Sequence, residues 1–498
     1  MCLRSIIKNR QHRAFLPLLL LAACGLMLLL LLKPAETAGN RAVLASEGLN
    51  HYEFSLVFRP EKQTLAVTME LEYTNRTGSA LSELMLRTWA GAYHSQETSP
   101  AAASSLYEQC YPQGFSPGGI QLEGCWWNDM PVDAQFQDAA QTVLSVPVGV
   151  LASDEGGRLR LRCQLTIPEC AHRFGHDQDT WQFGNALPIL SVYQQDGWRQ
   201  DPYEAIGEPF LSECANYSVT LVTPEGYACA ATGRCMEKAK TADGAVRYLL
   251  KAEAVREFAF ALSSGWAQAS ARSHGVLVSA YAAERSQASR AVQYAAKALE
   301  IYSALYGEYP YDTFSLCAAE FPFGGMEYPG LIFIGAPYFA ADRKDSLELV
   351  IAHETAHQWF YGMVGSDPFN HPWQDEALCE YATLRYVRER YGAGAYENLR
   401  LLRADAPMRE NIPFPLVPDS PISDFSRLDI YSSIVYGRGL AFLLAAEEMT
   451  GKMDAFLAEY CRRFAFRIAS REDFELLLCA ETGADLMPLL KDYLDTPL

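Results

Sequence analysis

The stretch Ile351-Ala-His-Glu-Thr-Ala-His-Gln-Trp-Phe360 decides how the chain is read. On a helix, His353 and His357 stand one turn apart on the same face, so two imidazole nitrogens can converge on a single metal ion. Glu354 follows the first histidine directly. There its carboxylate reaches a water bound to the metal without coordinating the metal itself, which makes it the candidate general base. Two imidazoles are half of a zinc site, and a third ligand is required. The plain alternative is a helix whose histidines are hydrogen-bonded core residues, and the downstream sequence weighs against it. Gly362, Gly365, Pro368 and Pro372 break the helix after Tyr361. Pro372 suits the start of a new helix, because a first turn does not need its missing N–H. That second helix, predicted from Trp373, carries Asp375 and Glu376 in its first turns, and so short a loop folds it back onto the first. Glu376 is the predicted third ligand.

With eighteen residues between His357 and Glu376, and Glu380-Tyr381 after it, this segment resembles the zinc aminopeptidases of the aminopeptidase N family, within the gluzincins. Two further motifs stand in that family's order. Phe323-Gly-Gly-Met-Glu-Tyr-Pro-Gly330 is similar to its Gly-x-Met-Glu exopeptidase motif, and Tyr431-Ser-Ser-Ile-Val-Tyr-Gly-Arg-Gly439 to its catalytic tyrosine segment. The resemblance implies one Zn²⁺ per chain on His353, His357 and Glu376, with Glu354 taking the proton of the attacking water. It also implies substrate binding by Gly324, Gly325, Met326 and Glu327, the last facing the free α-ammonium of a peptide. Gly324 and Gly325 carry no side chain to obstruct a peptide backbone at a strand edge. Tyr436 is the implied phenol donor to the oxyanion, Tyr431 a supporting residue, and Arg438, where the family often has lysine, a solvated charge. The implied fold is a multidomain α+β one: an all-β saddle followed by a thermolysin-like α/β zinc peptidase domain. The family's Gln or Glu from the saddle that helps bind the amine has no clear counterpart. Trp181-Gln-Phe-Gly-Asn-Ala-Leu-Pro188 is the right neighbourhood and Gln182 the nearest candidate.

The start of the chain has another character. Arg4, Lys8, Arg10 and Arg13 precede an apolar run from Ala14 to Leu32, closed by Lys33. As a helix those residues span about 28 Å, close to the hydrocarbon thickness of a bilayer. The basic flank keeps the N-terminus in the cytoplasm, so residues 1–33 are expected to be a basic flank and signal anchor in the cell membrane, single-pass, with the remainder exported. Leu21-Ala-Ala-Cys24 resembles a lipobox, and a lipoprotein anchored at Cys24 is the alternative. Residues 34–45 read as a tether.

Composition sets further bounds. Sixty Asp and Glu against 41 Lys and Arg give a formal charge of −19, and there is no basic cluster beyond the N-terminal flank, so nucleic acid is excluded as a partner. Thirteen cysteines suit an exported protein. Setting aside Cys2 and Cys24 leaves an odd number, with Cys110–Cys125 and Cys229–Cys235 as bridge hypotheses. Cys379 reads as a small buried hydrophobe.

From Tyr52 to Leu262 the hydrophobic period is two. Leu65, Val67, Met69, Leu71 and Tyr73 alternate with polar or small residues, as do Leu159, Leu161, Cys163, Leu165 and Ile167, and then Tyr217, Val219 and Leu221. Residues 46–265 are therefore assigned to an N-terminal β domain, with the Gly/Pro/Ser-rich stretch 93–131 as a surface excursion. Residues 266–498 form the catalytic domain. Within it Ser286–Tyr306 reads as an amphipathic helix closed by Gly307, Phe314–Leu316 as a strand, and 440–498 as short helices. Three functions stay open at this point. They are an aminopeptidase acting on unblocked peptides, an endopeptidase or other hydrolase on the same zinc scaffold, and a non-catalytic peptide-binding surface protein.

Overall fold

The computed structural model describes residues 40–497 apart from 104, 195 and 196. The basic flank, the apolar run and Cys24 lie outside the described residues. The runs of period two become strands of one eight-stranded sheet. Its spatial order is Arg234–Lys240, Val246–Val255, Ala215–Thr223, His51–Arg59, Thr64–Thr74, Gly156–Thr166, Gly119–Trp127 and Met130–Pro131. Leu65 faces Leu165, Val67 faces Cys163, Met69 faces Leu161 and Leu71 faces Leu159 across one antiparallel pair, and all eight are buried. A slip of one residue would turn that whole set to solvent, which pins the register. Two four-stranded sheets complete the β-rich half.

The stretch 93–131 is not only a surface excursion. Gly119–Trp127 pairs with Gly156–Thr166 as part of the large sheet, and Tyr93, Ala101, Cys110 and Tyr111 are buried. A shift of register between Leu122 and Gly124 interrupts the alternation there, which hides the strand from a periodicity reading. Cys125, Cys229 and Cys235 are thiols, so neither hypothetical bridge is formed.

A five-stranded sheet follows, in the order Ala267–Ser273, Val276–Ala282, Thr313–Ala319, Leu331–Gly335 and Gly325–Met326. The helix Arg285–Tyr306 packs on it, opened by a capping box between Glu284 and Gln287 and ended at Gly307. The helices Lys344–Ala356 and Trp373–Tyr391 pack beside this layer, and Gly439–Thr450, Met453–Phe464, Arg471–Thr482 and Met487–Leu494 close the domain. The stretch Leu428–Thr450 is long and apolar enough to cross a membrane, but most of it is buried in the fold.

A buried cation helps to tie the β-rich half to the half that follows it. Arg256 donates from Nε to Tyr361 O at 2.6 Å, from Nη1 to Ser212 O at 2.8 Å, and from Nη2 to Arg467 O at 2.5 Å. Its neighbour Glu257 accepts from Asn185 Nδ2 at 2.7 Å and from the Tyr361 hydroxyl. Buried carbonyls that lose such a donor each cost about 1–3 kcal/mol, so this clamp fixes the loop after the metal-site helix against the neighbouring domain.

Candidate metal centre and cleft

The first metal-site helix ends at Ala356, with His357 still helical as its C-cap (φ −60°, ψ −13°). It stops a turn earlier than the glycines predict. Tyr361 then adopts φ 131°, a conformation that non-glycine residues rarely hold, and it is held there through Arg256 and Glu257. The second helix starts at Trp373 behind Pro372 and carries Asp375 and Glu376 in its first turn.

These two helices bring His353, His357 and Glu376 together. His353 Nε2 lies 3.2 Å from His357 Nε2 and 3.3 Å from Glu376 Oε2, and His357 Nε2 lies 3.5 Å from the same carboxylate oxygen. Ligands about 2.1 Å from a tetrahedral ion stand about 3.4 Å apart, so the triangle has the size that zinc requires. Each outer ring nitrogen faces a carboxylate, and that of His357 is hydrogen-bonded. His357 Nδ1 donates to Asp375 Oδ1 at 2.7 Å, which leaves Nε2 with its lone pair inward, and His353 Nδ1 lies 3.2 Å from Glu380 Oε1. Two nitrogens and a carboxylate converging on one point form the donor set of a divalent cation. The residues fit one Zn²⁺.

Glu354 is buried and turned toward the same point. Burial pushes its carboxyl up to about 7, against the pull of the neighbouring His353 and His357. Gly325 runs directly over it: a Cβ at that position would stand 2.4 Å from Glu354 Cδ. The bare Cα therefore makes room for the Glu354 carboxylate, a different need from the peptide clearance read from the sequence. A Cβ on Gly324 would meet only Val350 at ordinary contact distance. Gly325–Met326 forms the free edge of the five-stranded sheet, with Gly324 and Gly325 on the wall of a cleft of about 390 Å³ that also holds His353, Glu354, Tyr431 and Tyr436. Met326 is buried behind that wall, its sulfur 3.1 Å from Arg173 Nε.

Glu327 lies within ligand reach of Glu354 and His357. Its carboxyl is raised well above the usual range, by burial first and then by the neighbouring Glu208. Glu208 lines the cleft and is held by Arg173 Nη2 at 2.6 Å. Sequence reasoning missed Glu208 and pointed instead to Gln182. The structure corrects this: Gln182 is fully buried, and its amide is spent on the backbone of His172 and Glu320.

Tyr436 sits in a π-helical segment, Ser432–Arg438, a wide turn often found at functional sites. Its ring stacks on His353 with centroids 5.9 Å apart, and Tyr431 stands edge-on to it at 5.8 Å. Burial and then the nearby Glu376 carboxylate raise its hydroxyl well above the usual range, so it stays protonated and able to donate. Arg438 is not a solvated charge: it is buried and donates to Glu410 O at 3.0 Å. Cys379 is buried with its sulfur toward Phe360 O.

Residues 290–493 match the peptidase family M1 domain. That match covers about two fifths of the chain. Human aminopeptidase B is 32% identical over 184 residues, which is 34% of this chain and 28% of that protein. Leukotriene A-4 hydrolase of Xenopus laevis is 29% identical over 196 residues, 36% of this chain and 31% of that protein. The chain thus spans about three tenths of the length of these relatives. A crystal structure of the M1 zinc metallopeptidase from Deinococcus radiodurans superposes with a TM-score of 0.62 at 19% identity, covering 89% of this chain and 92% of that one. The likeness of fold therefore takes in the β-rich half as well as the M1 domain, as the motif resemblance implies.

Proposed function

We propose that the chain is a zinc-dependent aminopeptidase that removes N-terminal residues from peptides outside the cytoplasm. The observation that carries this reading is the buried Glu327 carboxylate, clustered with Glu354 and His357 beside the donor set that fits zinc. Burial raises the Glu327 carboxyl, and an arriving cation favours its charged form; the cation on a peptide chain that lies beside a cleavable first bond is its α-ammonium. The strand edge Gly325–Met326 offers backbone groups to the peptide in β fashion and so aligns the first amide with Glu354. Bound to His353, His357 and Glu376, zinc supplies Lewis acidity that makes water nucleophilic near neutral pH. Glu354 accepts the proton of the attacking water and returns it to the leaving amine. The Tyr436 hydroxyl donates to the oxygen on which negative charge develops.

A peptide series with free and N-acetylated termini tests the reading. Hydrolysis should need the free terminus, and Glu327→Ala should cut kcat/KM on free substrates far more than any residual cleavage of blocked ones. Equal loss on both, or comparable cleavage of blocked peptides by the wild type, favours an endopeptidase on the same scaffold instead. The location rests on the sequence alone: four basic residues ahead of the apolar run favour a signal anchor that exports the catalytic part. Resistance of that part to protease added outside intact cells would count against it.

A further inference from the structure

The charged side chains lining the cleft are three carboxylates, Glu208, Glu354 and Glu380, and two arginines. Arg173 is almost fully buried. It is committed to Glu208 and Met326, with its guanidinium 5.5 and 5.6 Å from the Phe210 and Phe323 rings. Arg403 differs. Its side chain is 43% exposed, and its one contact among the described residues is from Nη1 to Glu380 Oε1 at 3.3 Å, which leaves most of the guanidinium fork unspent. Glu380 in turn lies 3.2 Å from His353 Nδ1, so two contacts and one imidazole ring separate the guanidinium from the metal point.

The placement is polar along the cleft. Glu327, proposed to bind the amine, gathers on the His357 and Glu354 side, and Glu208 lines the cleft. Arg403 stands behind the other imidazole, His353, with Tyr436 stacked on that same ring. A peptide with its α-ammonium at the first pole and its first amide over the metal point runs on toward the second. His353, Glu354 and Arg403 line the same cleft, so Arg403 stands on the wall along which the chain continues past the scissile bond. We infer that Arg403 binds a substrate carboxylate on the leaving side of the cleft, the C-terminal carboxylate of di- and tripeptides, which makes short peptides the preferred substrates of the proposed aminopeptidase. The chemistry suits the residue: a guanidinium fork can keep one N–H on Glu380 and present others to an incoming carboxylate. An arginine that only neutralised Glu380 would be indifferent to what lies at the substrate's far end.

This inference rests on the aminopeptidase reading, and the experiment separates the two. With the N-terminal residue fixed as the one best released from a panel of aminoacyl arylamides, the zinc-loaded enzyme is assayed on X-Gly, X-Gly-amide and X-Asp-amide. The free acid should exceed the amide in kcat/KM by about ten- to a hundred-fold, mainly through KM. Arg403→Gln should bring that ratio close to one, and Arg403→Lys should leave it intermediate. Each enzyme is its own control, so a loss of zinc or of turnover that strikes both forms alike does not mimic the effect. If Arg403→Gln cannot be loaded with zinc, the wild type and Arg403→Lys carry the comparison. A wild-type ratio near one, or a ratio unchanged in the variants, overturns the inference. So does a preference for X-Asp-amide with X-Gly and its amide alike, which would assign Arg403 to an acidic side chain. Failure to release any arylamide or dipeptide residue overturns the aminopeptidase reading itself.

Discussion

Glu354→Gln is expected to lower kcat by about 10²–10⁴-fold, the usual contribution of a positioned acid–base group, while zinc stays bound. The two halves of that expectation have separate causes. Glu354 is not one of the three donor atoms that lie 3.2 to 3.5 Å from one another, so removing its charge leaves the metal set intact. Its carboxylate nevertheless lies in the same cluster as Glu327 and His357, under the bare Cα of Gly325, where only a group that can take up and release a proton serves. Glutamine keeps the shape and most of the packing but cannot accept the proton. Kinetics on a free-terminus substrate, with metal content of the same preparation, checks both halves; a variant that keeps near-wild-type turnover removes Glu354 as the base.

Tyr436→Phe should raise the barrier by about 2.7–4 kcal/mol, or 10²–10³-fold in kcat, if its hydroxyl is the donor to the developing oxyanion. The ring itself contributes packing on His353 and Tyr431, and phenylalanine retains that stacking, so zinc content and melting temperature should change little. The loss belongs in kcat more than in KM, because the donor acts on charge present only in the transition state. Turnover within a factor of two of wild type would make Tyr436 a packing residue.

How far the sequence discloses this site depends on the distance over which each residue's role is set. His353, Glu354 and His357 are legible because one helical turn fixes their relation, and Glu376 because a short loop with Pro372 at its end leaves the second helix little freedom. The alternating runs near Leu65 and Leu159 are legible for the same reason, since a half-buried strand imposes period two directly. Glu208 is not legible. It sits in a loop without periodicity, and its place beside Glu327 is set by Arg173, thirty-five positions away. Gln182 looked right by neighbourhood, yet its amide serves the backbone of His172 and Glu320. Arg438 reads as a surface charge, and Arg403 stands in none of the motifs. One proves to be buried on Glu410 O and the other to face the cleft beside Glu380, a difference made by how the π-helical segments dock.

The most direct measurement is metal content. The purified chain, stripped with a chelator and reloaded, should bind one zinc per molecule and regain hydrolysis of a free-terminus peptide in proportion to the metal taken up, and Glu376→Gln should lose both together. Full activity in the stripped protein, or one tightly held zinc in the Glu376→Gln variant, would contradict the site described.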